Sequence, residues 1–258
     1  MLSNTRIVLF EPHYPGNVGS VARVMHNFGL KQLFLVNPLA DHLSPEARRL
    51  ATHGEHLLDQ AVRCQTLQEA LTDCGYVLCT SASIDGFQRS HHYGRPDELL
   101  AKFVPTLAVG NSALVFGPEP SGLSNHEIAQ CHGIIRIITA PEFTSLNLAQ
   151  AVTICCYELH RQGMHAIGSA MVPTQKIAPY EQQERMFQEL RSSLELIHFL
   201  YGTKADPLMA AIRHLIGRAH PSPNEVRILH GLARQLRYIM ENGGQLPTTN
   251  DNDEDSAT

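Results

Sequence analysis

The sequence predicts an α/β domain, a mostly parallel sheet with helices on both faces, followed by a small α-helical extension. Three observations carry this. Between residues 6 and 160, apolar runs of about five residues rich in Val, Ile and Leu alternate with helical patterns, as strands covered on both faces do. Beyond residue 180 the strand-like runs stop and only helical periodicity is left. The chain has 258 residues, 43% of them hydrophobic and 17% charged, enough to bury a core without a disulfide or metal staple.

Arg6–Phe10 reads as the opening strand, and the loop after it holds Pro12, Pro15 and Gly16. Asn17 stands where it can cap a helix whose apolar residues Val18, Val21, Ala22, Met25 and Phe28 recur at helical spacing, with Gly29 as its stop. Gln32–Val36 is a second strand, closed by Asn37-Pro38. Ser44-Pro45-Glu46 opens a helix with proline at its first position. Thr66–Glu69 is a capping box for a short helix ahead of the strand Tyr76–Thr80. Ser112–Phe116 is a further strand, Ser124–Glu127 a second capping box, Ile134–Ile138 a strand and Leu146–Arg161 a helix. Residues 163–179, low in charge and holding Gly163, Gly168, Pro173 and Pro179, read as a linker between a domain over 1–162 and a helical extension over 180–242. In that extension Tyr180–Tyr201, Pro207–Ala219 and Asn224–Met240 are helices, separated by Gly202 and Pro221–Pro223. Residues 243–258 are acidic, lack apolar periodicity and are expected to be disordered.

No window approaches eighteen uncharged apolar residues, so no membrane span is expected. Asn4 and Arg6 interrupt the first ten residues and argue against a signal peptide, so a cytoplasmic location is expected. The six cysteines form no C-x-x-C pair and several sit in apolar runs, which makes them buried thiols rather than ligands. His53 and His56 alone do not complete a metal site, and no metal is expected. The net charge of −5 hides an asymmetry. Asp251, Asp253, Glu254 and Asp255 crowd the last eight residues, whereas between Tyr201 and Met240 six bases face only Asp206 and Glu225. Local charge of this kind governs electrostatic partners more than the mean does.

Open α/β sheets bind ligands at the carboxyl ends of their strands. No loop there carries G-x-G-x-x-G, and Gly117–Gly122 is not followed by Lys-Ser/Thr, so neither a dinucleotide fingerprint nor a P-loop is present. Three other loops stand there instead: Asn17-Val-Gly-Ser-Val-Ala-Arg23, Leu114-Val-Phe-Gly-Pro-Glu-Pro-Ser-Gly-Leu-Ser124 and Pro141-Glu-Phe-Thr-Ser-Leu-Asn-Leu-Ala149. Together they resemble the three motifs of the SPOUT superfamily of RNA methyltransferases, in its TrmH branch. With the opening strand, the Val36-Asn-Pro38 turn, the Thr80-Ser-Ala82 loop and the basic helical C-terminus, the resemblance extends to TrmJ-type tRNA 2′-O-methyltransferases and spans residues 1 to about 240.

The resemblance implies a C-terminal trefoil knot in the sheet, a rare exception to unknotted topology. It implies S-adenosylmethionine bound among the loops by Thr80, Ser81, Ala82, Gly117, Ile137, Thr144, Ser145 and Leu146. It makes Arg23, acting across a homodimer interface, the residue that meets the target nucleotide, with Asn17, Glu119, Ser145 and Asn147 as further catalytic candidates. A guanidinium with a pKa above about 12 is no base, so Arg23 is expected to grip a phosphate and polarise the hydroxyl. Asn17 either caps its helix or serves the site, Glu119 orients Arg23 or the motif loops, and Ser145 and Asn147 either order the third loop or touch substrate. The implied reaction is 2′-O-methylation of a tRNA ribose, at cytidine or uridine 32 of the anticodon loop. The alternatives are an acceptor in ribosomal RNA and an RNA-binding SPOUT protein without activity. Arg213, Arg218, Arg227, Arg234 and Arg237 are the candidate RNA contacts, on helices that also bury apolar faces. Two positions depart from the family pattern: Pro118 where many relatives have arginine, and His214 where a permanent charge is common.

Overall fold

The computed structural model describes residues 2–82, 93–166 and 175–242. In chain order the elements are β1 (Thr5–Phe10), α1 (Pro15–Asn27), β2 (Gln32–Val36), α2 (Pro45–Ala51), α3 (Glu55–Asp59), β3 (Val62–Cys64), α4 (Leu67–Leu71) and β4 (Cys74–Thr80). They continue with β5 (Tyr93–Gly94), α5 (Pro96–Thr106), β6 (Asn111–Phe116), α6 (Asn125–Ala129), β7 (Gly133–Ile135) and α7 (Leu148–Ala166). The extension holds α8 (Tyr180–Leu196), α9 (Ala205–Gly217) and α10 (Pro223–Glu241). The strands lie in the order β3-β2-β1-β6-β4-β7-β5, and every pairing is parallel. All their carboxyl ends therefore emerge at one edge.

Side chains alternate across the sheet as the pleat requires. Ile7, Leu9, Leu35, Leu78, Leu114 and Phe116 face a core completed by α1, α2, α3, α5 and α7. Val8, Val36, Val77, Cys79, Val115 and Ile134 face a second one under α4, α6 and the start of α8. Both capping boxes form, at Thr66 and at Ser124, and Gly29 takes the left-handed φ of +70° that ends α1.

The structure corrects several boundaries. Helix α1 starts at Pro15, whose fixed φ suits a first helical position, so its cap is Tyr14 and Asn17 lies inside the first turn. Strand β7 stops at Ile135 rather than Ile138, because its outer neighbour β5 spans two residues and the last ladder bond runs from Arg136 N–H to the Gly94 carbonyl, at 2.9 Å. Helix α7 continues through Gly163 to Ala166, into the stretch expected as linker. The expected disordered tail, 243–258, lies outside the described residues.

A buried polar network docks the extension on the sheet. Val77 N–H donates to His132 Nδ1 at 2.9 Å, which leaves the proton on Nε2, facing Gln183 Oε1 at 2.9 Å. Gln183 Nε2 then donates to the Ala178 and Gly75 carbonyls, at 2.7 and 3.1 Å. Gly217 of α9 abuts the same ring, where a Cβ would come within 2.5 Å of His132 Cδ2. Beneath α8, α9 and α10 a third core holds Met186, Phe187, Leu200, Met209 and Val226.

Burial pushes the His132 pKa down to about 4, and the charge of Arg213 adds to the shift. A histidine ordinarily titrates near 6.5, so between pH 6.5 and 4 the unfolded chain binds a proton that the folded chain refuses. The His132 contribution to stability is therefore complete above about pH 6.5 and falls as the solution is acidified. Urea unfolding of wild type and His132→Leu at pH 7.5 and pH 5 isolates it: the wild-type advantage is expected to shrink by about 2 kcal/mol at the lower pH.

Candidate active site

The site is built at the carboxyl edge of the sheet, where β1, β6, β4 and β7 end side by side. A cavity of 340 Å³ opens there. Thr80, Ser81 and Ala82 leave β4, Gly117 leaves β6, and Ile137, Thr144, Ser145 and Leu146 come from the loop between β7 and α7; all eight line it. Ser81 N–H donates to the Ile135 carbonyl at 3.2 Å and ties two of these strand ends together.

Glycine at 117 is a steric requirement. A Cβ there would lie 2.4 Å from Leu123 N and 2.6 Å from Gly122 C, because the loop doubles back on itself. Gly122 closes the turn with φ of +67°, its N–H donating to the Pro118 carbonyl at 2.8 Å. At these two glycines the wall offers the cavity backbone alone.

Three side chains clasp the loops together. Glu119 Oε2 accepts from His13 N–H at 2.9 Å, and its Oε1 accepts from Asn17 Nδ2 at 2.7 Å. Asn17 Oδ1 in turn accepts from Asn147 Nδ2 at 2.9 Å. Asn147 Oδ1 accepts from Ala149 N–H at 2.9 Å and so caps α7. The carboxylate of Glu119 meets donors at the start of α1, where the helix dipole favours negative charge. Within one chain, Asn17 does not cap its helix, Glu119 holds the loops, and Asn147 orders the third loop.

Arg23 sits in the third turn of α1, exposed, with no ion pair among the described residues. It does not line the cavity of its own chain. Ser145 does, and is exposed.

The basic helices divide. Arg213 is not an exposed contact: it makes two bonds to Glu184, at 2.6 and 3.0 Å, and stacks 4.3 Å over the Phe187 ring. Arg237 is bound to Glu189 at 3.0 Å. Arg218, Arg227 and Arg234 are exposed and have no ion pair among the described residues. Sequence reasoning missed the first two because their acids lie on α8, a different helix. His214 is 2% exposed, so this departure presents no surface charge. Burial pushes the Cys74 and Cys155 thiols up to about 12, which leaves them protonated and without a nucleophilic role.

Residues 4–157 match the SpoU rRNA Methylase family. The chain belongs to that family. Residues 181–245 match the C-terminal domain of the tRNA methyltransferase TrmJ. Among curated relatives, the tRNA (cytidine/uridine-2′-O-)-methyltransferase TrmJ of Pectobacterium atrosepticum is 35% identical over 242 residues, covering 92% of this chain and 98% of the relative. Its counterpart from Klebsiella pneumoniae is 37% identical over 242 residues, at 92% and 97% coverage. The crystal structure of TrmJ from Z. mobilis ZM4 superposes with a TM-score of 0.73 at 29% identity, over 90% of this chain and 99% of that one. As a member of the SpoU methylase family, the chain keeps the α/β fold of its neighbours with an added helical extension.

Two substitutions probe the cavity and its clasp. Gly117→Ala must push the loop off Leu123 and is expected to cost about 1–3 kcal/mol in urea unfolding. Asn147→Ala removes a helix cap together with the Asn17 bond, and is expected to cost about 1–2 kcal/mol in urea unfolding.

Proposed function

We propose that the chain transfers a methyl group from S-adenosylmethionine to a ribose 2′-hydroxyl of tRNA, with cytidine or uridine 32 of the anticodon loop as acceptor. The observation that carries this reading is the pairing of two matches on one chain, a methylase over 4–157 and a TrmJ C-terminal domain over 181–245. The second match favours tRNA over ribosomal RNA. Catalysis in the cytoplasm and a trefoil-knotted path for the loops around the cavity belong to the same proposal. No helix among the described residues is long and apolar enough to cross a membrane.

The cavity fits the cofactor chemically. Backbone around Gly117 and Gly122 offers N–H and C=O groups to an adenine edge, while Phe116, Ile137 and Leu146 supply apolar walls. Its lining holds no lysine, arginine or histidine among the described residues, so nothing there repels a sulfonium, and Glu119 is the charged side chain present. When bound, S-adenosylmethionine supplies an electrophilic methyl group with a neutral leaving group. The protein's task is then alignment, which can contribute on the order of 7–11 kcal/mol in favourable cases. Thr80, Ser81, Ala82, Gly117, Ile137, Thr144, Ser145 and Leu146 hold the cofactor in this reading, and Ser145 also stands at the open side toward the incoming ribose.

Arg23 grips the phosphate next to the acceptor and polarises its hydroxyl, from a second copy of the chain. Its exposure and its position outside its own cavity support that assignment. The α7 face beside α1 exposes Ile154, Tyr157 and Met164, an apolar strip suited to a homodimer contact. Arg218, Arg227 and Arg234 give the tRNA a basic surface on the extension.

The test is methyl transfer from labelled S-adenosylmethionine to unmodified tRNA, followed by digestion and mass spectrometry. A 2′-O-methyl nucleoside at position 32 is expected with wild type, and Arg23→Ala is expected to lose at least a hundredfold in kcat/KM with cofactor affinity unchanged. Mixing Arg23→Ala with Gly117→Ala chains should restore activity, since one site of each mixed dimer then has both parts intact. Methylation of ribosomal RNA alone would move the acceptor, and cofactor binding without transfer to either RNA would leave an RNA-binding protein.

A further inference from the structure

A second cavity, of 430 Å³, lies beside the first and shares Ala82, Ile137 and Thr144 with it. Its remaining wall comes from the edge strand β5 and the chain that leaves β7, where Tyr93, Arg95, Glu98, Arg136 and Ile138 line it. Among the described residues the two cavities contain two bases, Arg95 and Arg136. Arg95 is already neutralised. Its guanidinium bonds Asp97 at 3.0 and 2.6 Å and lies 3.7 Å from Glu98. Arg136 is exposed and has no ion pair among the described residues, while its backbone N–H is fixed to the Gly94 carbonyl at 2.9 Å. Among the described residues, the unpaired positive charge at this edge therefore rests on one anchored arginine.

Beside it stand two large side chains left in water, Tyr93 at 51% exposure and Ile138 at 70%. A guanidinium next to an open ring and an apolar shelf is the pairing that receives single-stranded RNA, the base stacking on the ring and the phosphate meeting the cation. The loop 117–122, with Pro118 and Pro120 flanking Glu119, offers no such cation. We propose that this groove seats the nucleotide next to the methylated one, its base against Tyr93 and its phosphate on Arg136. The proposal rests on the reading that an RNA ribose enters the adjoining cavity. Arg136 acts as a positioning residue: it sets how the strand lies and does not touch the reacting atoms.

The test uses the full-length protein with Arg136→Glu, Arg136→Lys and Tyr93→Ala, measuring tRNA binding by fluorescence anisotropy, cofactor binding by equilibrium dialysis, and methyl transfer. Arg136→Glu is expected to weaken tRNA binding about tenfold and raise KM with little change in kcat, while the slope of log Kd on log salt falls by about one. Arg136→Lys should recover most of the affinity, and Tyr93→Ala should lose five- to tenfold. Circular dichroism melts of the variants are expected to match wild type, since both side chains face water. Unchanged tRNA affinity in Arg136→Glu would overturn the proposal. So would a loss of cofactor affinity in that variant, which would assign the groove to the carboxylate end of the cofactor instead. A wild type that binds tRNA without methylating it would sink the substrate reading alone, because the binding arm still decides the groove.

Discussion

The carboxylate of Glu119 is the point through which the three loops of the site are held in one arrangement. Each segment follows a different strand; the first lies at the start of α1, while the β6 and β7 loops have little regular hydrogen bonding of their own. The carboxylate takes two donors from the chain at the start of α1, and Asn17 passes the connection on to Asn147, which caps α7. Four groups thus set the first turn of one helix, the β6 loop and the start of another. A half-exposed ion usually contributes little to stability. Here it accepts neutral donors at a helix N-terminus, where desolvation costs little and the dipole helps. The clasp can therefore be rigid without a buried charge pair.

Much of this was legible in the sequence, for physical reasons. Strands buried on both faces must be apolar throughout, so Arg6–Phe10, Gln32–Val36 and Ser112–Phe116 announced themselves. Capping boxes are local chemistry, and Thr66 and Ser124 formed as read. The failures are tertiary. Ile134–Ile138 is apolar enough for a five-residue strand, yet it ends where its partner ends, and the two-residue length of β5 is not written near it. Strand β3 and helix α5 went unread for a related reason: three residues make no pattern, and Pro105 interrupts the helical one.

The site shows the same division. That the three loops belong together could be read from their position at strand ends, whereas the bonds among Asn17, Glu119 and Asn147 join residues more than a hundred apart. Asn17 is the instructive case. Asparagine before an apolar helical repeat is the usual cap signal, but Pro15 starts the helix earlier, which frees the amide to bridge two loops. Arg213 is another. By spacing it matches Arg218 and Arg227, and only the fold of α9 against α8 reveals that Glu184 and Phe187 already occupy it.

Among the described residues, the unpaired arginines that bear on the site stand apart from the cavity rather than in it. Arg23 lies on α1, Arg218, Arg227 and Arg234 on the extension, and Arg136 at the rim, while the cavity wall holds backbone, apolar groups, serine and threonine hydroxyls and one carboxylate. A site that handles a cationic methyl donor and a polyanionic acceptor faces opposite demands, since bases that attract RNA repel a sulfonium a few ångströms away. Separating them in space satisfies both. On the proposed reading the donor would meet a wall without positive charge among the described residues, with Arg136 at the rim and Arg23 arriving only from a second copy together with the acceptor. On this account the Pro118 departure is compatible with function: a cation removed from the wall can be replaced at the rim, where Arg136 stands.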